Sequence, residues 1–140
     1  MLEIMKKGGL IKGKDGLKVI VMCEIPSNVI LIDKFLDIFD GMSIGSNDLT
    51  QLILGIDRDN AKISYIGDER NEAVKEMIAR VIQECKKRKK YVGICGEAPS
   101  SFKEFAEFLV EQGIESMSLN SDTIIKTILN IAKKEKQLPR

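Results

Sequence analysis

Four short runs rich in branched apolar residues punctuate the chain, at residues 18–23, 41–45, 91–95 and 116–119. Each is followed by a turn signal and then by a segment whose apolar positions recur at three and four residues, a pattern that predicts strand then helix. Strands alternating with helices build a parallel sheet with its helices packed outside, so the fold class is α/β.

The clearest helix covers residues 68–89, where Ala73, Val74, Met77, Ile78, Val81, Ile82 and Cys85 form one stripe that assigns Cys85 to the core. Ser27 is placed to cap a helix carrying Ile30, Leu31, Phe35 and Ile38. Ser101 with Glu104 forms a capping-box pattern opening residues 102–112, with Gly113 as the stop. Ser121 opens a last helix that puts Ile124, Ile125, Ile128, Leu129 and Ala132 on one face, ahead of a polar end at 133–140 that frays. A weak helical pattern over residues 2–10 ends at Gly8-Gly9, so the chain starts on a helix, as in a fold entered midway. Residues 49–67 separate the second strand from its helix and are expected to form a long loop at the strand's C-terminal end, where βα loops build sites in barrel folds.

Charge removes several function classes. Among 140 residues, 22 Lys and Arg stand against 21 Asp and Glu, and a net charge of +1 gives no field to hold nucleic acid or an anionic membrane. The basic run at residues 86–90 falls at a helix end, where cations complement the macrodipole. No apolar run approaches the roughly 20 residues needed to cross a bilayer, and the first residues lack a secretory signal's apolar segment. Cys23, Cys85 and Cys95 are an odd set without CxxC spacing, which supports neither a disulfide framework nor a zinc knuckle and points to a reducing cytoplasm. With no histidine, imidazole catalysis and imidazole metal ligation are excluded within this chain.

Three polar residues at strand C-termini are unexplained by the apolar pattern: Glu24, Asp48 and Cys95. In a parallel sheet those ends share one rim, so two carboxylates and a thiol distant in sequence can converge. Two carboxylates are the right type and number for Mg²⁺, which leaves its other positions to water and substrate oxygens, and they suit Mn²⁺ as well. Each residue also has a plainer role. A single carboxylate after a strand is commonly a helix cap or a solvated charge, and a lone cysteine is commonly core filler; Gly93 and Gly96 beside Cys95 add room for close ligand approach.

The strings Met22-Cys23-Glu24-Ile25-Pro26-Ser27-Asn28, Gly45-Ser46-Asn47-Asp48-Leu49-Thr50-Gln51, Gly55-Ile56-Asp57-Arg58-Asp59 and Gly93-Ile94-Cys95-Gly96-Glu97-Ala98-Pro99-Ser100 together resemble the C-terminal domain of the PEP-utilising enzymes, most closely the phosphoenolpyruvate synthase branch. The resemblance implies a (β/α)8 barrel that interconverts pyruvate and PEP. It assigns Glu24 and Asp48 to Mg²⁺, Gly45, Ser46 and Asn47 with those carboxylates to substrate, and Cys95 to proton transfer. It also implies departures. The family's phosphohistidine has no counterpart here, and neither Arg58 nor Arg70 matches the arginines that hold the phosphoryl group.

A chain of 140 residues is about half of a barrel of roughly 250. Residues 1–140 are therefore expected to form one domain, a partial (β/α)8 barrel of about four parallel strands corresponding to its C-terminal half. Two open sheet edges and an apolar inner face would then call for a cover. That cover is either a second copy or a separate chain supplying the missing half barrel and the phosphohistidine domain. The alternative to a catalytic fragment is a non-catalytic half barrel that binds Mg²⁺ and a pyruvate-like acid, or only a partner subunit.

Overall fold

A computed structural model describes residues 1–57 and 59–138; Arg58, Pro139 and Arg140 lie outside the described residues. Strands β1 (Ile20–Cys23), β2 (Gly41–Gly45), β3 (Tyr91–Cys95) and β4 (Ser116–Met117) form one sheet in the order β1-β2-β3-β4. All neighbours are parallel, with Cys23 beside Ile44, Gly45 beside Cys95 and Ile94 beside Met117. Helices α1 (Leu2–Lys7), α2 (Pro26–Ile30), α3 (Ile32–Ile38), α4 (Ser46–Leu54), α5 (Glu72–Lys87), α6 (Ala98–Ser101), α7 (Lys103–Gln112) and α8 (Ile124–Glu135) fill the connections. The architecture is the α/β partial barrel expected from the sequence.

Strand periodicity divides the sheet into two chemically different faces. Cys23, Met42, Ile44, Val92 and Ile94 point to the helices and are fully or almost fully buried with Val74, Ile78, Val81, Ile82 and Cys85 of α5. This is the core, and it holds Cys23 and Cys85 as expected. Burial and neighbouring negative groups push both thiols up to about 12, so they remain protonated.

The opposite, inner face is not the apolar surface expected. Its positions on β2 and β3 are Gly41, Ser43 and Gly45, then Tyr91, Gly93 and Cys95, with Ser116 on β4; large apolar side chains occur there only on β1, at Ile20 and Met22. Glycines let the Tyr91 side chain lie flat along the sheet. A Cβ on Gly93 would stand 2.5 Å from the Tyr91 hydroxyl and 2.6 Å from Ser116 Oγ, and those two oxygens are 2.5 Å apart.

Several boundaries also differ. The expected loop at 49–67 begins as α4, because Leu49 and Thr50 are buried against the core and Gly55 ends the helix in a left-handed turn. The Ser101/Glu104 capping box does not form. The chain instead bends at Phe102, which caps α7 without a side-chain bond, while Glu104 pairs with Arg70 at 3.0 Å. Ser27 lies inside α2, where Asn28 Oδ1 accepts from the amides of Glu24 and Ile25 at 3.3 Å. The long helix starts at Glu72, capped by Asn71, whose side chain accepts from the Ala73 amide at 2.9 Å, and the last one starts at Ile124. In the basic run, Arg88 bonds Asp33 and Asp37 of α3 and Lys90 Nζ donates to the Phe39 carbonyl, which ties α5 to its neighbour.

Candidate active site at the strand C-termini

Glu24, Gly45 and Cys95 stand side by side at the C-terminal rim of β1, β2 and β3. A Cβ on Gly45 would come 2.9 Å from Glu24 Cβ and 3.0 Å from its Oε2, so the missing side chain is the space the Glu24 carboxyl group occupies. Glu24 is half-buried and has no ion-pair partner among the described residues. Cys95 follows Gly45 across the next ladder. Its Sγ lies 3.7 Å from Ser43 Oγ, which donates to it, and 3.5 Å from the Ile44 carbonyl.

The turn after β2 is bound to the turn after β3. Ser46 Oγ donates to the Cys95 carbonyl at 3.2 Å, and the Glu97 amide donates to Asn47 Oδ1 at 3.4 Å. Gly96 sits between them at φ +139, a conformation that favours glycine. A Cβ there would fall 2.1 Å from Ser46 Oγ. Asp48 occupies the first turn of α4, half-buried, where a carboxylate also complements the helix dipole.

The geometry thus joins Glu24, Gly45, Ser46, Asn47 and Cys95 through contacts, and places Asp48 on the same rim. Glu24 just after β1 and Asp48 in the first turn of α4 supply carboxylate oxygens, the donor type a hard cation takes, and Glu24 is half-buried without a positive partner among the described residues. The donors are all oxygen, which suits Mg²⁺.

Sequence reasoning missed three residues here. Ser43 was hidden in a strand run, although its alternation with Gly41 and Gly45 marks the inner face. Glu69 and Glu97 line a cleft of about 180 Å³ beside Asn47, Thr50 and Gln51. Burial raises the Glu69 carboxyl above its ordinary value; the Ser46 hydroxyl and the Ala98 amide oppose this, and the Glu97 carboxylate adds to it. Arg70 is held by Asp68 and Glu104 and lies 3.9 Å over the Phe102 ring, a structural post. A larger cavity of about 730 Å³, between α7, β4 and α8, is lined by Ile114, Met117, Leu119, Ile124 and Ile128 and contains none of the rim residues.

Comparison with known proteins gives this rim a lineage. Residues 2–136 match the family described as PEP-utilising enzyme, PEP-binding domain. The chain is 56% identical over 138 residues to the phosphoenolpyruvate synthase of Aquifex aeolicus (strain VF5), a match covering 99% of this chain and 16% of that protein. It is 52% identical over 136 residues to the phosphoenolpyruvate synthase of Escherichia coli (strain K12), covering 97% of this chain and 17% of that protein. Among solved structures, a pyruvate kinase from Cryptosporidium parvum superposes with a TM-score of 0.62 at 14% identity, covering 99% of this chain and 30% of that one. An HpcH/HpaI aldolase from Desulfitobacterium hafniense DCB-2 gives 0.56 at 20% identity, over 89% and 45%. These two share the fold. The chain spans about a sixth of the length of the curated relatives it matches, and with a family match over nearly its whole length it belongs to the PEP-binding domain family of the PEP-utilising enzymes.

Proposed function

We propose that this chain carries the magnesium-binding and proton-transfer part of a phosphoenolpyruvate synthase site, whose overall reaction converts ATP, pyruvate and water into AMP, PEP and phosphate. The observation that carries the reading is the contact set at the rim: Glu24 over Gly45, Gly45 beside Cys95, and Ser46 and Asn47 bound to the turn that follows Cys95.

In this reading Glu24 and Asp48 hold Mg²⁺, which when bound supplies Lewis-acid stabilisation of the enolate oxygen. Gly45 leaves the carboxylate unobstructed, Ser46 ties this substrate-binding segment to the Cys95 turn, and Asn47, whose Oδ1 takes the Glu97 amide, offers its side-chain NH2 to the substrate's carboxylate and phosphoryl oxygens. Cys95 as thiolate takes a proton from the methyl carbon of pyruvate; the C–H electron pair becomes the enolate, whose oxygen then takes the phosphoryl group. In the reverse direction the thiol returns that proton to the same carbon. Ser43 Oγ donates to Cys95 Sγ and holds the thiol in place at the rim. The phosphoryl donor comes from outside this chain, which has no histidine.

Exposed apolar groups support a covering partner. Ile20 and Met22 stand 37% and 39% exposed on the edge strand β1, and Ile125 and Leu129 on α8 are 73% and 58% exposed. Three free thiols, Cys23, Cys85 and Cys95, agree with a cytoplasmic setting. The experiment is complementation: with the missing part of the enzyme supplied, the wild-type chain exchanges the pyruvate methyl protons with D2O, and Cys95→Ala abolishes that exchange. Undiminished exchange in Cys95→Ala removes the thiol from the mechanism. The lack of histidine also favours a second reading, a half barrel that binds Mg²⁺ and a pyruvate-like acid without turnover, for which binding persists and no complementing part restores exchange.

A further inference from the structure

Glu69 comes from the segment between α4 and α5 and serves neither the core nor an ion pair among the described residues. Its carboxyl group lies over the crossing of the two rim turns. The point where a Gly96 Cβ would stand is 3.3 Å from Glu69 Oε1, 2.1 Å from Ser46 Oγ and 2.8 Å from Asn47 Oδ1, so four residues from three connections meet around one missing methyl group.

The Ser46 hydroxyl and the Ala98 amide face this carboxyl group, one from each turn. Yet Oε1 is sealed from solvent without a properly formed bond, as is Thr50 Oγ1 on the same cleft. Burying a carboxylate this way costs free energy that an apolar residue of similar volume would not. Its compensation is reach: one side chain packs against both turns at once.

We propose that Glu69 is a positioning residue that clamps the Gly96 turn behind Cys95 onto the Ser46-Asn47 turn, so that one junction fixes the thiol relative to the substrate-binding donors. This rests on the reading of the rim as the pyruvate and PEP site, and extends the site to a segment that carries none of its reacting groups. Ser46 Oγ on the Cys95 carbonyl and the Glu97 amide on Asn47 are the bonds that the clamp protects. Releasing it frees the turn that directly follows Cys95, whose side chain is half-buried.

The test is alkylation of the free chain by iodoacetamide, read at each cysteine by peptide mass spectrometry. Cys23 and Cys85 are buried and protonated, so they report global unfolding while Cys95 reports the rim. Glu69→Ala is expected to raise the Cys95 rate at least fivefold with Cys23 and Cys85 unlabelled, and Glu69→Gln, which keeps the acceptor, to stay within twofold of wild type. Gly96→Ala attacks the same junction from the other side and should give a similar rise, without further gain when combined with Glu69→Ala. A Cys95 rate in Glu69→Ala within twofold of wild type, or below it, overturns the proposal. So does equal labelling of all three thiols, which would make Glu69 a stability residue only. Because the readout is thiol exposure and not turnover, a failed exchange experiment with Cys95→Ala leaves this result intact.

Discussion

Gly45→Ala isolates the contribution of Glu24 without touching a carboxylate. The Gly45 backbone has φ −86, which alanine adopts freely, so the perturbation is one of space and not of strain. The new Cβ would lie 2.9 Å from Glu24 Cβ, 3.0 Å from Oε2 and 3.2 Å from Met22 Cε. Ordinary van der Waals contact begins at 3.4 Å, so the Glu24 side chain must withdraw by about half an ångström at its base and by nearly as much at its carboxyl end. Such overpacking costs roughly 1–3 kcal/mol of stability. Interactions of a charged group are worth about 1.5–3 kcal/mol each, so displacing Glu24 from a shared cation should weaken binding roughly ten- to a hundredfold. Electron paramagnetic resonance of free Mn²⁺ titrated with protein measures that affinity directly, Mn²⁺ taking the same oxygen ligands. If the loss acts through Glu24, Gly45→Ala combined with Glu24→Gln binds no worse than Glu24→Gln alone. Unchanged Mn²⁺ affinity in folded Gly45→Ala refutes the assignment of Glu24 as a ligand.

Two further outcomes follow from the inner face and the Glu69 cleft. Gly41→Ala should destabilise more than Gly93→Ala: the first drives a Cβ to 2.3 Å from the Tyr91 backbone oxygen, the second meets the movable ends of Tyr91 and Ser116, and thermal unfolding should rank them in that order. For Glu69, the folded protein binds its proton more tightly than the unfolded chain does. As pH rises from the ordinary glutamate value through the raised folded value, the unfolded state ionises first and wild type loses stability. Below that window the two forms are alike, and above it the penalty is constant. Glu69→Gln removes the effect, so the Tm of wild type relative to Glu69→Gln should fall across mildly acidic pH; a flat difference contradicts the assigned burial.

Much of the fold was legible because it rests on short-range pattern. β2 and β3 have the limits their apolar runs gave, and the stripe through Val74, Ile78, Val81, Ile82 and Cys85 is the buried face of α5. Ends were less legible where a tertiary partner decides them. The Val19 amide donates to Asp40 Oδ2 at 2.8 Å, so β1 starts at Ile20 and not at residue 18. Ser46, Asn47 and Asp48 favour turns and so point to a loop, but the same residues favour a helix's first turn once Leu49 can bury behind them, and α4 forms there. Uniformly apolar runs imply an apolar inner face, but the alternation Gly41, Ser43, Gly45 and Tyr91, Gly93, Cys95 separates a small-residue face from the core face. At the site, Glu24 and Cys95 stood out as polar residues closing apolar runs. Glu69 gave no such signal, since its setting Asp68-Glu69-Arg70-Asn71 resembles any helix entrance and only packing brings it to Gly96.

We propose that this chain alone assembles the metal-dependent part of a pyruvate and PEP site. Isothermal titration of oxalate, an enolpyruvate mimic, in the presence of Mg²⁺ into wild type and Asp48→Asn tests it most directly. The account predicts saturable binding that requires Mg²⁺, and at least a tenfold loss of affinity in Asp48→Asn, the order expected for one charged ligand. Absence of binding in both proteins, or binding that is indifferent to Mg²⁺ and to Asp48, would contradict it.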